Sequence, residues 1–464
     1  MSQDFVKPIR VVSLVNNDCR NDARVIREAE ALAEVGCNVL VVANYSSEVP
    51  SEERRNGVLY RRVIVPFSEK SIPLNKMVPS SSIPADHNCN TKTFGLNATV
   101  DRVSVFAAPL WKFVKETAFG FLKALLTPTV LLLLRQARYF RSPAIKWQPD
   151  VVHAHDLYTL FAGWLIARNT KAKLIYDSHE LEIGRNAAFS VWEQKVREWS
   201  ERILIRKTDA VVTVSDSIAD FLSERYKIDR PIVVLNAPVI KDFISNADTV
   251  RRRIQLENDT PLVLYLGSLT FNRGLEQSLA AMEHSPDWHL VCVGPRVSTI
   301  ETKLMEQALR LGVSDRIHFV DPVPHDQVTA FVRTADVSLI TIQNTCLSYQ
   351  FCFPNKLLES LLAGLPIVVS RLNELEKMAK RTGAGLIIDE TDPREIARAI
   401  EEVIANRSSY APSPELVKEL EVEFSWSAQK TKLIDLYKAL NVHEKSQMKK
   451  TRKNHVDQTS TSMR

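Results

Sequence analysis

The 464-residue chain reads as an α/β protein of two doubly wound, parallel-sheet domains that face each other across a cleft. Three observations carry this reading. Short β-branched runs alternate with helical periodicity in two successive sets, the pattern of parallel sheets covered by helices on both faces. Most of the runs end in Asn, His, Asp or Ser, the residue types that do chemistry where α/β sheets bind ligands. The length allows two domains, and the 45% hydrophobic and 25% charged content suits a globular fold.

In the first set, Ile9–Val15 reads as a strand, Asn21–Glu34 as a helix closed by Gly36, and Asn38–Ala43 as the next strand. The first turn is Asn16-Asn17-Asp18-Cys19-Arg20, without the G-x-G-x-x-G of a dinucleotide fingerprint, so nicotinamide chemistry loses its main support. Asp22, Arg24 and Arg27 open the first helix near the expected cleft, where they suit a phosphate or the protein surface equally. Residues 68–148 break the alternation, polar first and then apolar from Leu110 to Leu134, with Arg135, Arg138 and Arg141 following. Thr117–Leu134 holds one charge, Lys123, and so has the length and apolarity of a membrane span. A crossing would separate strands of one sheet, so the expectation is an interfacial hairpin with its arginines at the headgroups, the alternative being a pair of core or interface helices. Alternation resumes with Pro149–Asp156, Leu174–Glu180, Ala210–Ser215 and Ile232–Asn236, and Pro238 to Asn258 reads as the linker.

The second set places strands at Val263–Leu266, His289–Val293, Ile317–Val320, Val337–Thr341, Ile367–Val369 and Leu386–Asp389, then a last helix from Phe424 to Leu440. The expected domains are therefore 1–238, with 68–148 inserted, and 239–424, followed by a terminal helix at 425–441 and a disordered tail at 442–464. Six cations against two carboxylates give that tail +4 of the net +5. The folded body then carries no basic stripe, which argues against nucleic-acid binding. The six cysteines form no C-x-x-C pair, consistent with reduced thiols. The N-terminus shows no signal-peptide core, so a cytoplasmic location on the inner face of a membrane is expected.

The densest site signal is Ser348–Ser370, SYQFCFPNKLLESLLAGLPIVVS. Pro354 suits a helix start and Gly364 a left-handed helix end, so the N-terminus at Asn355 opens toward a loop, where anions settle. Lys356 adds a cation. Glu359, about one turn inside, would repel a phosphate and instead suits the hydroxyls of a ribose. Gly267–Glu276 follows the first strand of the second set. Its Gly267 permits close ligand approach, and Arg273 offers a planar donor fork to a diphosphate. His153 and His155 share a strand face, but with no third ligand at a metal-binding spacing no metal is expected.

With these segments the chain resembles the retaining glycosyltransferases of family four, which have the GT-B fold of two Rossmann-like domains. The resemblance rests on PDVVHAHD, DSHE, TDAVVTVSD, LYLGSLTFNRGLE, TADVSLI and PNKLLESLLAGLP in that order. It implies a nucleotide-sugar donor without a metal or other cofactor, its diphosphate held by Arg273, Lys356 and Asn355 beside Gly267. Ribose would fall to Glu359, the base to Asp321–His325, and the reacting sugar to His155, or else His179, near Asn236. His155 would orient or polarise groups rather than attack. The family pairs Glu359 with an acid eight positions earlier that usually contacts the donor sugar; here that position is Phe351. The function expected is retaining glycosyl transfer to a glycan or lipid-linked envelope precursor, with peripheral membrane contact. The alternatives are a nucleotide-sugar epimerase or hydrolase, or a non-catalytic binder.

Overall fold

Fourteen strands set the frame of the computed structural model, which describes residues 8–66, 127–187, 189–238 and 248–440. Eight lie in the first sheet: β1 (Arg10–Leu14), β2 (Asn38–Asn44), β3 (Glu52–Arg55), β4 (Val58–Val63), β5 (Val151–His155), β6 (Lys173–Ser178), β7 (Ala210–Thr213) and β8 (Ile232–Val233). Their order is β3-β4-β2-β1-β5-β6-β7-β8, parallel except for β3 against β4. The second sheet comprises β9 (Leu262–Leu266), β10 (His289–Val293), β11 (Ile317–Val320), β12 (Val337–Ile340), β13 (Ile367–Ser370) and β14 (Gly385–Ile388). Its order is β11-β10-β9-β12-β13-β14, all parallel. In each sheet the order reverses beside its first strand, between β1 and β5 and between β9 and β12. That reversal leaves a crevice at the carboxyl ends of the strands.

The strands are apolar because helices cover both faces. Val12, Leu14, Val152 and Ala154 face one layer, while Val11, Val15, Val39 and Val41 face the other. β3 goes unread in the sequence because Glu52-Glu53-Arg54-Arg55 has no apolar side to bury. It pairs at the sheet edge through the Asn56-Gly57 turn, whose φ angles of 48° and 81° suit a tight hairpin.

Part of the 68–148 segment belongs to this core. A helix runs from Pro128 to Trp147, capped by Thr127, and buries Leu132, Leu133, Ala137, Phe140 and Ala144. It packs on the helix Asp156–Thr170. The interfacial hairpin is thus replaced, in its described half, by a crossover helix between β4 and β5. An apolar run by itself does not distinguish lipid from protein core. Among the described residues no helix is long and apolar enough to cross a membrane. The loop expected before Asp101, the apolar Leu110–Leu126 and the tail 442–464 lie outside the described residues.

The terminal helix, Trp426–Ala439, returns to the first domain. Leu433, Ile434, Leu436 and Tyr437 join the core beneath the helix Ala23–Glu34, whereas Leu420 and Phe424 of the preceding helix stay with the second domain. The stretch read as linker is packed at its end. Arg251 donates to the carbonyls of Glu257, Thr260 and Thr334 and pairs with Asp336 at 2.7 Å.

Candidate active site

At the carboxyl end of the second sheet, β9 and β10 converge so closely that only glycine fits. A Cβ on Gly294 (φ +150°) would lie 2.3 Å from the Gly267 carbonyl. Gly274 (φ +72°) turns the following loop into the helix Leu275–Met282, and a Cβ there would meet the Thr341 carbonyl at 2.2 Å. This loop presents Arg273. Across from it the helix Asn355–Leu362 begins after Pro354 with no side chain capping its first turn, leaving N–H groups and a positive dipole end directed outward. Gly267, Arg273, Asn355, Lys356 and Glu359 line one cavity of about 470 Å³, with Pro322, Val323 and His325 of the loop after β11 on another wall.

Among the described residues the two cations here have aromatic rings but no carboxylate as direct partners. The Lys356 ammonium lies 4.1 Å from the Tyr265 ring centroid, and among the described residues no group accepts a hydrogen bond from it. Burial, and then the charge of Arg273, push it down to about 7. The Arg273 guanidinium lies 4.8 Å from the Tyr349 ring centroid and makes no ion pair among the described residues. Burial lifts the Glu359 carboxyl to about 7, against the pull of Arg27 and Lys356. Two cations and a helix mouth held open around a void form a receptor for a polyanion.

A second cavity, of about 580 Å³, lies on the first domain's side and is lined by Asn17, Asp18, Asn21, Asp22, Arg24, His179 and Asn236. His325 and Asn355 line both cavities, so the two adjoin. The glycine-free first turn is closed by side chains. Asn17 Oδ1 accepts from the Cys19 amide at 2.7 Å, and Asn17 Nδ2 donates to Asp22 at 2.8 Å.

The structure separates the two histidines expected near the reacting sugar. His155 is 1% exposed and lies under His179, 3.0 Å between Nδ1 and Nε2; His179 is the histidine that reaches the cavity. Asp177, at the end of β6, organises the pair. Its carboxylate accepts from Arg24 Nε and Nη2, both at 2.8 Å, and lies 3.3 Å from His155 and 3.4 Å from His179. Although burial opposes it, Arg24 and His179 hold the Asp177 carboxyl well below the usual carboxylate range. Against the same burial, Asp156 and Asp177 raise His179 to about 9, so it faces the cleft as an imidazolium. Burial and the neighbouring His153 push His155 down, so it stays neutral.

Arg24 and Arg27, read as possible phosphate ligands, are engaged by the protein itself. Arg24 also donates to the Val234 carbonyl and pairs with Glu28 at 3.2 Å, while Arg27 donates to Asn236 and to the Ala237 carbonyl. The fold also supplies further carboxylates beside the two histidines. Ligand atoms of Glu28, His153, His155 and Asp177 lie within 4.8 Å of one another, a donor set of metal-binding type. The positive charges these carboxylates face are Arg24 and, at Asp177, His179. The Asp177 and Glu28 roles escape sequence reasoning because the network spans β5, β6 and the first helix. The available signal was Arg24 and Glu28 at i,i+4 on one helix face.

Phe351 does not face the donor cavity. Its ring lies 5.8 Å from that of Phe221 in the first domain, and its carbonyl accepts from Ser215 Oγ at 2.7 Å. Ser217 N also donates to Glu374 at 3.0 Å, and Asn186 Nδ2 to the Tyr349 hydroxyl at 3.0 Å. These bonds hold the two domains together around the cleft.

Two facing doubly wound domains with an anion-receptive cavity in the second define a GT-B protein. The chain belongs to the family-four glycosyltransferases: the model for Glycosyltransferase Family 4 matches residues 96–242, and that for Glycosyl transferases group 1 matches 246–419. It is 25% identical over 306 residues to a D-inositol 3-phosphate glycosyltransferase of Corynebacterium diphtheriae, covering 62% of this chain and 70% of that one. Among solved structures, the sucrose-phosphate synthase of Thermosynechococcus elongatus superposes with a TM-score of 0.68 at 17% identity, over 93% of this chain and 99% of that one. Anabaena Alr3699/HepE, solved with UDP and glucose, gives 0.60 at 14% identity, over 93% and 100%.

Proposed function

We propose that the protein moves a glycosyl group from a nucleotide sugar to an acceptor hydroxyl with retention at the anomeric carbon. The observation that carries this reading is Lys356, a buried ammonium without a hydrogen-bonding partner among the described residues, beside Arg273 and an uncapped helix mouth. Leaving a cation so placed is costly, and a donor diphosphate supplies the missing charge. In the reaction the bond between the anomeric carbon and the phosphate oxygen breaks. Its electron pair passes to the diphosphate, where Arg273, Lys356 and the amide groups at Asn355 stabilise the growing charge. The acceptor oxygen bonds to the anomeric carbon on the face being vacated, and its proton passes to the departing phosphate. Glu359 takes the ribose hydroxyls, and the loop 321–325 flanks the base. The His179 imidazolium, backed by His155, orients the reacting groups.

The acceptor is a hydroxyl-rich molecule, matched to the amides and carboxylates lining the first domain's cavity. A lipid-linked envelope precursor and peripheral membrane contact rest on the apolar stretch Leu110–Leu126 alone, which suits a protein core equally. Incubation with UDP-, GDP- and ADP-linked labelled sugars and a membrane extract tests the whole reading. Label in lipid with an unchanged anomeric configuration supports it. Isomerised or hydrolysed nucleotide sugar identifies an epimerase or hydrolase instead, and binding without turnover a non-catalytic relative.

A further inference from the structure

With Phe351 withdrawn against Phe221, the donor cavity keeps two acidic side chains among its described lining residues, Glu359 and Glu180. Glu359 sits on the helix Asn355–Leu362, behind the phosphate-receptive mouth. Glu180 arrives from the other domain. After β6 the chain turns at Ser178, whose Oγ donates to the Glu180 carbonyl at 2.8 Å, and runs along the second domain. Gly184 passes so close to Leu347 that a Cβ there would lie 2.6 Å from the leucine Cβ. Asn186 then bonds both the Tyr349 hydroxyl and Asn272, each at 3.0 Å. The segment 180–186 is thus held against the second domain, and its Glu180 lines the cavity together with Tyr349, the ring on which Arg273 rests. The Cys346 thiol lies within electrostatic reach of both Glu180 and Arg273.

We propose that Glu180 is the carboxylate that grips the donor sugar's hydroxyls, supplied across the domain interface in place of the acid missing at Phe351. The proposal rests on the donor reading of this cavity. An ionised carboxylate accepts hydrogen bonds only, so beside a diphosphate it suits hydroxyls and repels phosphate. Arg185 Nη2 lies 2.5 Å from Glu180 Oε1 and fixes the carboxylate's orientation. The only other carboxylate lining the cavity, among the described residues, is the one assigned to ribose. A sugar joined to a diphosphate at Arg273 and Lys356 therefore extends toward the first domain and Glu180. Because the grip spans both domains, a nucleotide lacking its sugar leaves it unused.

Titration calorimetry of the full chain with UDP, GDP and ADP, and with the glucose conjugate of each, separates the two claims. For the nucleotide that binds, Glu180→Gln raises the ratio of nucleotide-sugar Kd to diphosphate Kd by about 10-fold or more, with the diphosphate Kd changing less than about two-fold. A ratio equal to wild type, whether both affinities persist or both fall together, overturns the assignment. If the wild-type chain binds no diphosphate, the donor reading itself fails, and this proposal with it.

Discussion

Lys356 offers the most direct test of the anion receptor. An ammonium that ordinarily titrates at 10.5 and here titrates at about 7 has lost about 5 kcal/mol of charge stabilisation, taking 1.36 kcal/mol per pH unit. At pH 8 the free protein therefore holds this side chain roughly nine-tenths neutral, while a nucleoside diphosphate is fully ionised, its last phosphate proton leaving near about pH 6. A bound diphosphate returns the missing favourable charge and lifts the lysine back above pH 8. Binding at pH 8 should thus draw about 0.9 proton from solution, whereas at pH 6, where the lysine is already charged and the free diphosphate about half protonated, protons should be released instead. Calorimetry in buffers of differing ionisation enthalpy measures that number directly. Lys356→Met should bind at least about 100-fold more weakly and take up no proton through this site. The same variant should make the ligand-free protein more stable at pH 7. The sign follows from linkage: the folded lysine binds fewer protons than the unfolded one between pH 7 and 10.5, so wild-type stability rises across that window and the variant's advantage shrinks. Diphosphate binding at pH 8 without proton uptake, or with uptake unchanged in Lys356→Met, would refute the placement of the anion at this lysine.

Other substitutions probe the remaining parts. Glu359→Gln should weaken nucleoside diphosphate binding about 10-fold through loss of charge-assisted bonds to ribose; calorimetry showing equal affinity removes the ribose assignment. Gly274→Ala places a Cβ against the Thr341 carbonyl at φ +72° and should cost at least about 1–2 kcal/mol in denaturant unfolding, with a parallel drop in diphosphate affinity because Arg273 is displaced. Asp177→Asn strips Arg24 of its bidentate partner and should cost about 3–5 kcal/mol, seen as a lower denaturation midpoint. His179 is raised from its ordinary 6.5 to about 9, so its ion pairs stabilise fully below pH 6.5 and are lost as pH rises through 9. His179→Gln should accordingly cost stability at pH 6 and little at pH 9.5, which paired unfolding curves would show.

Local chemistry carried much of this protein in its sequence. β9 and β13 fall within a residue of where apolar runs place them, because a strand buried on both faces shows mostly apolar residues. Arg273, Asn355, Lys356 and Glu359 were legible as a set because each stands in or beside one helix mouth or one glycine turn, and backbone geometry within a few residues brings them to the same strand ends. Long-range packing decided the rest. Whether Leu132 and Leu133 meet lipid or protein depends on the helix Asp156–Thr170 lying opposite. Which histidine reaches the cleft depends on Asp177 and Arg24, which lie 153 positions apart in the chain. That Glu180 and Arg273 share a cavity depends on two domains meeting at Asn186 and Tyr349. Periodicity records which face of an element is buried, but not what buries it, and so the partners emerge only when the sheets are stacked.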